Sequence, residues 1–274
     1  MKQRFISCCL SCFIAKNLIN EAKLIAFTLA ETLIVMGIIG VVAALTIPNL
    51  NSSTNNMEKV TKLKKLYTNL NEVQSRATAV YGPLNTWFTS DNCSATSKEC
   101  SLRYFDRILE FMKVQKTCRT TANNCASSDT SMFYFGELYN ENFNDDNYVP
   151  QAVLADGSAI LQIYISHPNC NINDDIGGTN TYCGFIVIDI DGPNKGKNWY
   201  GVDLFAFNIT KDGIIPNHSA DNIKDHIEYC TQNGIACAAW VLEKGNMDYL
   251  NVKHDGSSKC PNGTTLTWEK GSCK

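Results

Sequence analysis

Hydrophobic and polar positions follow three different rhythms along this chain, and each rhythm predicts a different kind of element. From Phe27 to Leu50 the sequence FTLAETLIVMGIIGVVAALTIPNL is apolar almost throughout, and Glu31 is its only ionisable side chain. As a helix rising 1.5 Å per residue this stretch reaches about 36 Å, more than the roughly 30 Å hydrocarbon core of a bilayer. After the polar run NLNSSTNN the rhythm changes. Met57, Val60, Leu63, Leu66, Tyr67, Leu70, Val73, Ala77 and Val80 recur at intervals of three and four, which predicts an amphipathic helix. Its polar face carries Glu58, Lys59, Lys62, Lys64, Lys65, Asn69 and Arg76, and Tyr81-Gly82-Pro83 ends it.

Beyond the helix the pattern is less regular. Arg103 to Lys116 (RYFDRILEFMKVQK) has helical spacing between Ser-, Thr- and Asn-rich stretches, which predicts a short helix among loops. From Val153 the period shortens to two. VLADGSAILQIYI and VDLFAFNITKDGIIP each set a D-G turn between apolar runs, and CGFIVIDIDG alternates, so three or four antiparallel strands are expected. CTQNGIACAAWVLEKGNMDYL predicts a closed loop leading into a short helix around Ala238 to Glu243, with Trp240 and Tyr249 as packing residues. The expected fold class is α+β, in five segments: 1–26, 27–50, 51–82, 83–152 and 153–274.

Charge and cysteine usage narrow the setting. The formal charge of −3 hides a basic start, because Lys2, Arg4, Lys16 and Lys23 face only Glu21 within the first 26 residues. Setting these aside leaves 20 cations against 26 acids, so the body is mildly acidic and nucleic acid is not expected as a partner. Three of the 13 cysteines, Cys8, Cys9 and Cys12, lie in that basic start; the other ten follow residue 90. An even count suits an oxidising compartment. Cys93/Cys100, Cys118/Cys125 and Cys230/Cys237 each enclose six residues, and Cys170/Cys183 and Cys260/Cys273 each enclose twelve. Five local bridges are the simplest reading. Ten cysteines allow about 945 pairings by the same counting that gives 105 for eight. Zinc is the competing reading, against which stand the absence of a C-x-x-C pair among the ten later cysteines and the scatter of His167, His218, His226 and His254.

An ordinary secretory signal places its small-residue cleavage site after the apolar stretch, whereas here Ala26 precedes it, so a cut there leaves the helix on the mature chain. The run KLIA/FTLAETLIVMGIIGVVAALTIPNL resembles the cleavage and methylation motif of the type IV prepilin and type II secretion pseudopilin family. The likeness departs from the family at Ala26, where glycine is usual. It covers the first 80 residues densely and residues 153–216 more loosely, through IDIDGPNKGKNWYGVDLFAFNI. It implies a pilin-like fold, with a long N-terminal helix, half transmembrane and half amphipathic, packed on a small antiparallel sheet with disulfide-stapled loops. Residues 1–26 would then be a leader that a prepilin peptidase removes between Ala26 and Phe27, methylating the new amine.

Glu31 and Pro48 carry the assembly expectations. A carboxylate at the centre of a membrane helix costs roughly 2.5 to 3.5 kcal/mol, less near its end, and such residues are generally retained for a partner. The resemblance names one, the amine of Phe27 on a neighbouring subunit. A local alternative stands beside it, since Thr28 and Glu31 spell the S/T-x-x-E capping box. Gly40 and Ala44 form a small-xxx-small pair that permits close helix approach, and Pro48 is expected to kink or locally melt the helix. The resemblance implies the same, with the segment upstream of Pro48 extended in the filament and Gly37 and Gly40 assisting.

Asp189, Asp191, Asn194 and Asp203 gather oxygen donors in one loop, and the resemblance to major pseudopilins implies Ca²⁺ there. The loop lacks the EF-hand spacing, and Asp and Asn beside Gly-Pro are also turn formers. No catalytic motif is present: G-x-S-x-G, Walker A, H-E-x-x-H and the dinucleotide fingerprint are all missing, and no catalytic residue is assigned. The resemblance therefore implies a structural subunit of a pilus or secretion pseudopilus. It would sit in the bacterial inner membrane as a single-pass protein with its C-terminal part outside the cytoplasm. Its partners would be other pilin or pseudopilin subunits, the prepilin peptidase and an inner-membrane assembly platform. Two alternatives are a minor tip subunit that binds a surface or an exoprotein and, further off, a membrane-anchored exported enzyme.

Overall fold

The computed structural model describes residues 28–88, 98–126, 130–134, 137–171, 181–217, 223–253 and 257–274, with backbone alone at 43–54, 130–134, 137–141, 223–226 and 233. The chain divides into two compact units, one up to Ser53 and one from Thr54. Helix α1, Leu29–Tyr81, runs for 53 residues and belongs to both.

In the first unit Thr28 and Glu31 form the capping box. Thr28 N and Oγ1 each donate to Glu31 Oε2 at 2.9 Å, and Glu31 N donates to Thr28 Oγ1 at 3.2 Å. The large apolar side chains that follow are exposed, from 80% at Leu29 down to 52% at Val42. The fully described apolar stretch, Leu29–Val42, is about 21 Å long, and among the described residues no helix is long and apolar enough to cross a membrane. The expected span 27–50 therefore extends past the described side chains, and the pair Ala26/Phe27 lies outside the described residues altogether. Helix α1 runs continuously through Pro48. A proline removes one donor and crowds one carbonyl, and the remaining helical bonds on either side keep the turns wound.

The second unit is α+β. Its antiparallel sheet has six strands in the order β1-β4-β5-β6-β7-β8: β1 is Val114–Cys118, β4 Gln151–Leu154, β5 Ala159–Ile165, β6 Tyr182–Asp189, β7 Leu204–Thr210 and β8 Gly213–Pro216. A separate hairpin joins β2, Thr130–Tyr134, to β3, Glu137–Glu141. Helix α2 is Lys98–Leu109, α3 Ile223–Asn233 and α4 Cys237–Lys244. The D-G turns connect β4 to β5 and β7 to β8 as expected. The expected boundary at 153 needs correction, because the sheet starts at Val114 and draws in part of the segment 83–152. Helix α2 stops at Leu109, and Val114–Lys116, assigned by periodicity to the helix, is strand. Val114 pairs with Leu154 and Cys118 with Gln151, so ladder bonds to β4 override a weak helical pattern.

Both faces of the sheet are covered. One receives the buried stripe Val60, Leu63, Leu66, Leu70, Val73 and Ala77 of α1, with Tyr67 stacked on Phe207 at 5.6 Å. Fully burying one such aliphatic side chain contributes roughly 1.5 to 3 kcal/mol, so this seam is a principal source of the unit's stability. Met57 and Val80, the two ends of the sequence stripe, are exposed instead. The opposite face packs Phe143, Leu161, Val187 and Leu204. Trp240 and Tyr249 are buried in the core. Disulfides join Cys118 to Cys125, Cys170 to Cys183, Cys230 to Cys237 and Cys260 to Cys273. Cys100 on α2 is also disulfide-bonded, while Cys93 lies outside the described residues.

Candidate functional site

Two places concentrate the residues singled out by the sequence. The first is the start of α1, where Glu31 interrupts a surface of exposed Leu, Ile, Val and Met side chains. Glu31 Oε2 is engaged by Thr28, so the carboxylate is held close to the helix N-terminus, where its charge opposes the helix dipole favourably. Gly37 and Gly40 leave open space where a Cβ would stand, so the helix surface is flat at those two positions.

The second is the loop from Ile190 to Asp203, which joins β6 to β7. It turns on a framework of carboxylates. Asp189, the last residue of β6, is fully buried, and its Oδ1 accepts the amides of Asp191 at 3.1 Å and Gly192 at 2.8 Å. Asp203, just before β7, is equally buried; Oδ2 accepts Lys197 N at 2.6 Å and Oδ1 accepts Trp199 N at 2.7 Å. Asn198, with its amide turned to suit its neighbours, donates to Asp189 Oδ2 at 3.3 Å and to Lys195 O at 3.2 Å. Gly196 adopts φ +72°, and a Cβ on it would run into Asp203 Oδ2 and stand 2.8 Å from Asp191 Oδ2, so both its backbone conformation and the packing require glycine.

The electrostatics follow from burial. Desolvation pushes the Asp189 carboxyl up to about 8, opposed by the amide of Gly192 and reinforced by the neighbouring Asp191 charge. Asp203 is raised as well, first by burial; the Lys59 ammonium and the amides of Trp199 and Lys197 pull it back down. Lys59 reaches in from α1, its Nζ 3.8 Å from Asp203 Oδ2 with only 19% of its side chain exposed.

This arrangement bears on the calcium expectation for Asp189, Asp191, Asn194 and Asp203. Ca²⁺ takes six to eight oxygen ligands. Here the oxygens of Asp203 and Asp189 already accept hydrogen bonds, an ammonium stands beside Asp203, and Asn194 lies on an exposed turn with Lys195. Asp191 Oδ1 is buried without a hydrogen-bond partner. Among the described residues no group of three or more His, Cys, Asp or Glu side chains is placed to hold a metal ion. Sequence reasoning missed Lys59, which it assigned to the solvent face of the helix, and Asn198. Nothing in a single sequence links Lys59 to an aspartate so distant along the chain, whereas Asn198 stands among loop residues already singled out. No protein-family model, no curated protein and no solved structure matches this chain.

Proposed function

We propose that this chain is an assembly subunit of a type IV pilin-like filament or secretion pseudopilus, held in the bacterial cytoplasmic membrane through α1 and joined to its neighbours by the same helix. The observation that carries this reading is the exposed apolar surface from Leu29 to Val41, broken by the single carboxylate Glu31. Contiguous apolar surface of this kind marks a lipid or protein contact. In lipid, helices associate by close packing and by satisfying polar groups across the contact.

On this reading a prepilin peptidase cuts between Ala26 and Phe27, and the freed, methylated amine of one subunit becomes the counter-ion of Glu31 on the next. The open faces at Gly37 and Gly40 admit a neighbouring helix. Residues 27–50 span the bilayer once, and the second unit lies outside the cytoplasm. Its four described disulfides support that placement, because such bonds persist in oxidising compartments. Other pilin or pseudopilin subunits and an inner-membrane platform are the partners. A second reading, a minor tip subunit that binds a surface or an exoprotein, draws on the β2–β3 hairpin and the disulfide-closed tail from residue 257, both outside the six-stranded sheet. Counting copies per purified filament separates the two. Mass spectrometry of the membrane-derived protein tests the processing route: an N-methylated Phe27 terminus is expected, and an intact Met1 contradicts it.

A further inference from the structure

The loop between β6 and β7 poses an electrostatic problem. Asp203 is fully buried, and burying a carboxylate in its charged form is costly unless a counter-charge and hydrogen bonds compensate. Two amides supply the hydrogen bonds, from Lys197 and Trp199. Among the described residues the single cation within 4 Å is Lys59. The loop's own lysines do not compete for this role, since Lys195 lies on the exposed turn and Lys197 Nζ sits 4.5 Å over the Trp199 ring. Lys59 is held in place by its neighbours on α1, because Val60 and Leu63 are buried in the core.

We propose that the Lys59 ammonium is the resident counter-ion of this acidic loop, taking the place of a divalent cation and tying the loop to α1. The proposal does not depend on filament assembly, because every group in it belongs to the second unit. It accounts for three features together. The two amides on the Asp203 oxygens and the ammonium beside Oδ2 together compensate the buried charge, so the loop requires no divalent cation there. The 190–203 loop closes on its own backbone through Asp189, Asn198 and Gly196. A flexible lysine stem supplies a compact charge without the demand for further oxygen ligands that a cation brings. Lys59 pairs with Asp203, whose carboxylate also feels the Asp191 charge, while Asp189 accepts from Asn198.

The test is thermal unfolding of the full-length protein in detergent, wild type against Lys59→Met and Lys59→Arg, each with excess calcium and with a chelator. The wild-type Tm is expected to be the same under both conditions. Lys59→Met is expected to unfold on the order of 5 °C lower, since it leaves a buried carboxylate without its partner charge, and Lys59→Arg to recover most of that loss. A wild-type Tm that rises with calcium or falls with chelator overturns the proposal, as does a Lys59→Met protein as stable as wild type. The wild-type comparison decides the matter even if Lys59→Met fails to fold.

Discussion

Asn71 on α1 and Ile214 on β8 are joined by two hydrogen bonds at once: Asn71 Nδ2 donates to Ile214 O at 3.0 Å, and Ile214 N donates to Asn71 Oδ1 at 2.9 Å. The side-chain amide behaves as an additional strand residue and caps the open edge of the sheet, which would otherwise present unpaired backbone groups. Asn71→Leu keeps the bulk and removes both bonds. Leaving a partly buried donor and acceptor without partners costs about 2 to 4 kcal/mol. Thermal unfolding should show Tm lower by roughly 5 to 15 °C; an unchanged midpoint contradicts the assigned role.

One turn further along α1, Gln74 is 2% exposed. Its Nε2 donates to Thr210 O at 2.8 Å, and its Oε1 accepts the Tyr104 hydroxyl at 2.8 Å, so a single amide links α1, β7 and α2. Tyr104 is fully buried, and burial alone holds its hydroxyl far above the usual tyrosine range. Gln74→Leu strands both partners, and a loss of about 2 to 4 kcal/mol is expected. Tyr104→Phe in that background restores part of the loss, because it removes one of the stranded groups. A double-mutant cycle with no coupling between the two positions speaks against the network.

Burial raises the Asp189 carboxyl to about 8, far above its unfolded value near 4. The folded protein therefore holds a proton between about pH 4 and pH 8 that the unfolded chain has released. The stability this group contributes is complete below pH 4 and is lost as pH rises through 8. Asp203, also raised by burial, adds in the same direction. Asp189→Asn should flatten the fall in Tm between pH 5 and pH 8. A wild-type slope of opposite sign, or a variant that keeps the full slope, goes against this assignment.

The disulfide Cys260–Cys273 closes the last segment of the chain, where Trp268 stacks edge-on against Trp240 at 5.5 Å. Cross-linking a loop of about 15 residues contributes about 3 kcal/mol through the unfolded state. Replacing both cysteines by serine should lower Tm by roughly 6 to 12 °C and expose the 257–274 segment to protease without unfolding the sheet. Equal protease resistance in variant and wild type runs counter to the stapling role.

Parts of this architecture were legible in the chain itself. The stripe from Val60 to Ala77 sits at helical spacing because it covers one face of a sheet, and β5 to β8 carry alternating residues and D-G turns that report local pairing. Strand β1 was not legible, because Val114-Gln115-Lys116 only becomes a strand through its partner β4, a relationship that lies in the ladder rather than in local pattern. Helix α3 was missed since IKDHIEYCTQN mixes charge, aromatic and cysteine with few apolar repeats. The buried polar groups left a trace that could have been followed. Asn71 and Gln74 stand on the apolar stripe beside Leu70, Val73 and Ala77, and an amide on a core face signals a hydrogen bond across the interface. Lys59 left no such trace, because its partner Asp203 is brought near only by the folded sheet.

The central claim is that Glu31 serves assembly between subunits beyond its local bond to Thr28. The direct measurement is filament or pseudopilus formation by Glu31→Ala in cells, scored beside membrane fractionation and N-terminal processing of the same protein. The account predicts a variant that enters the membrane and is cut before Phe27, yet yields few or no filaments. Filaments at wild-type abundance from Glu31→Ala would contradict it.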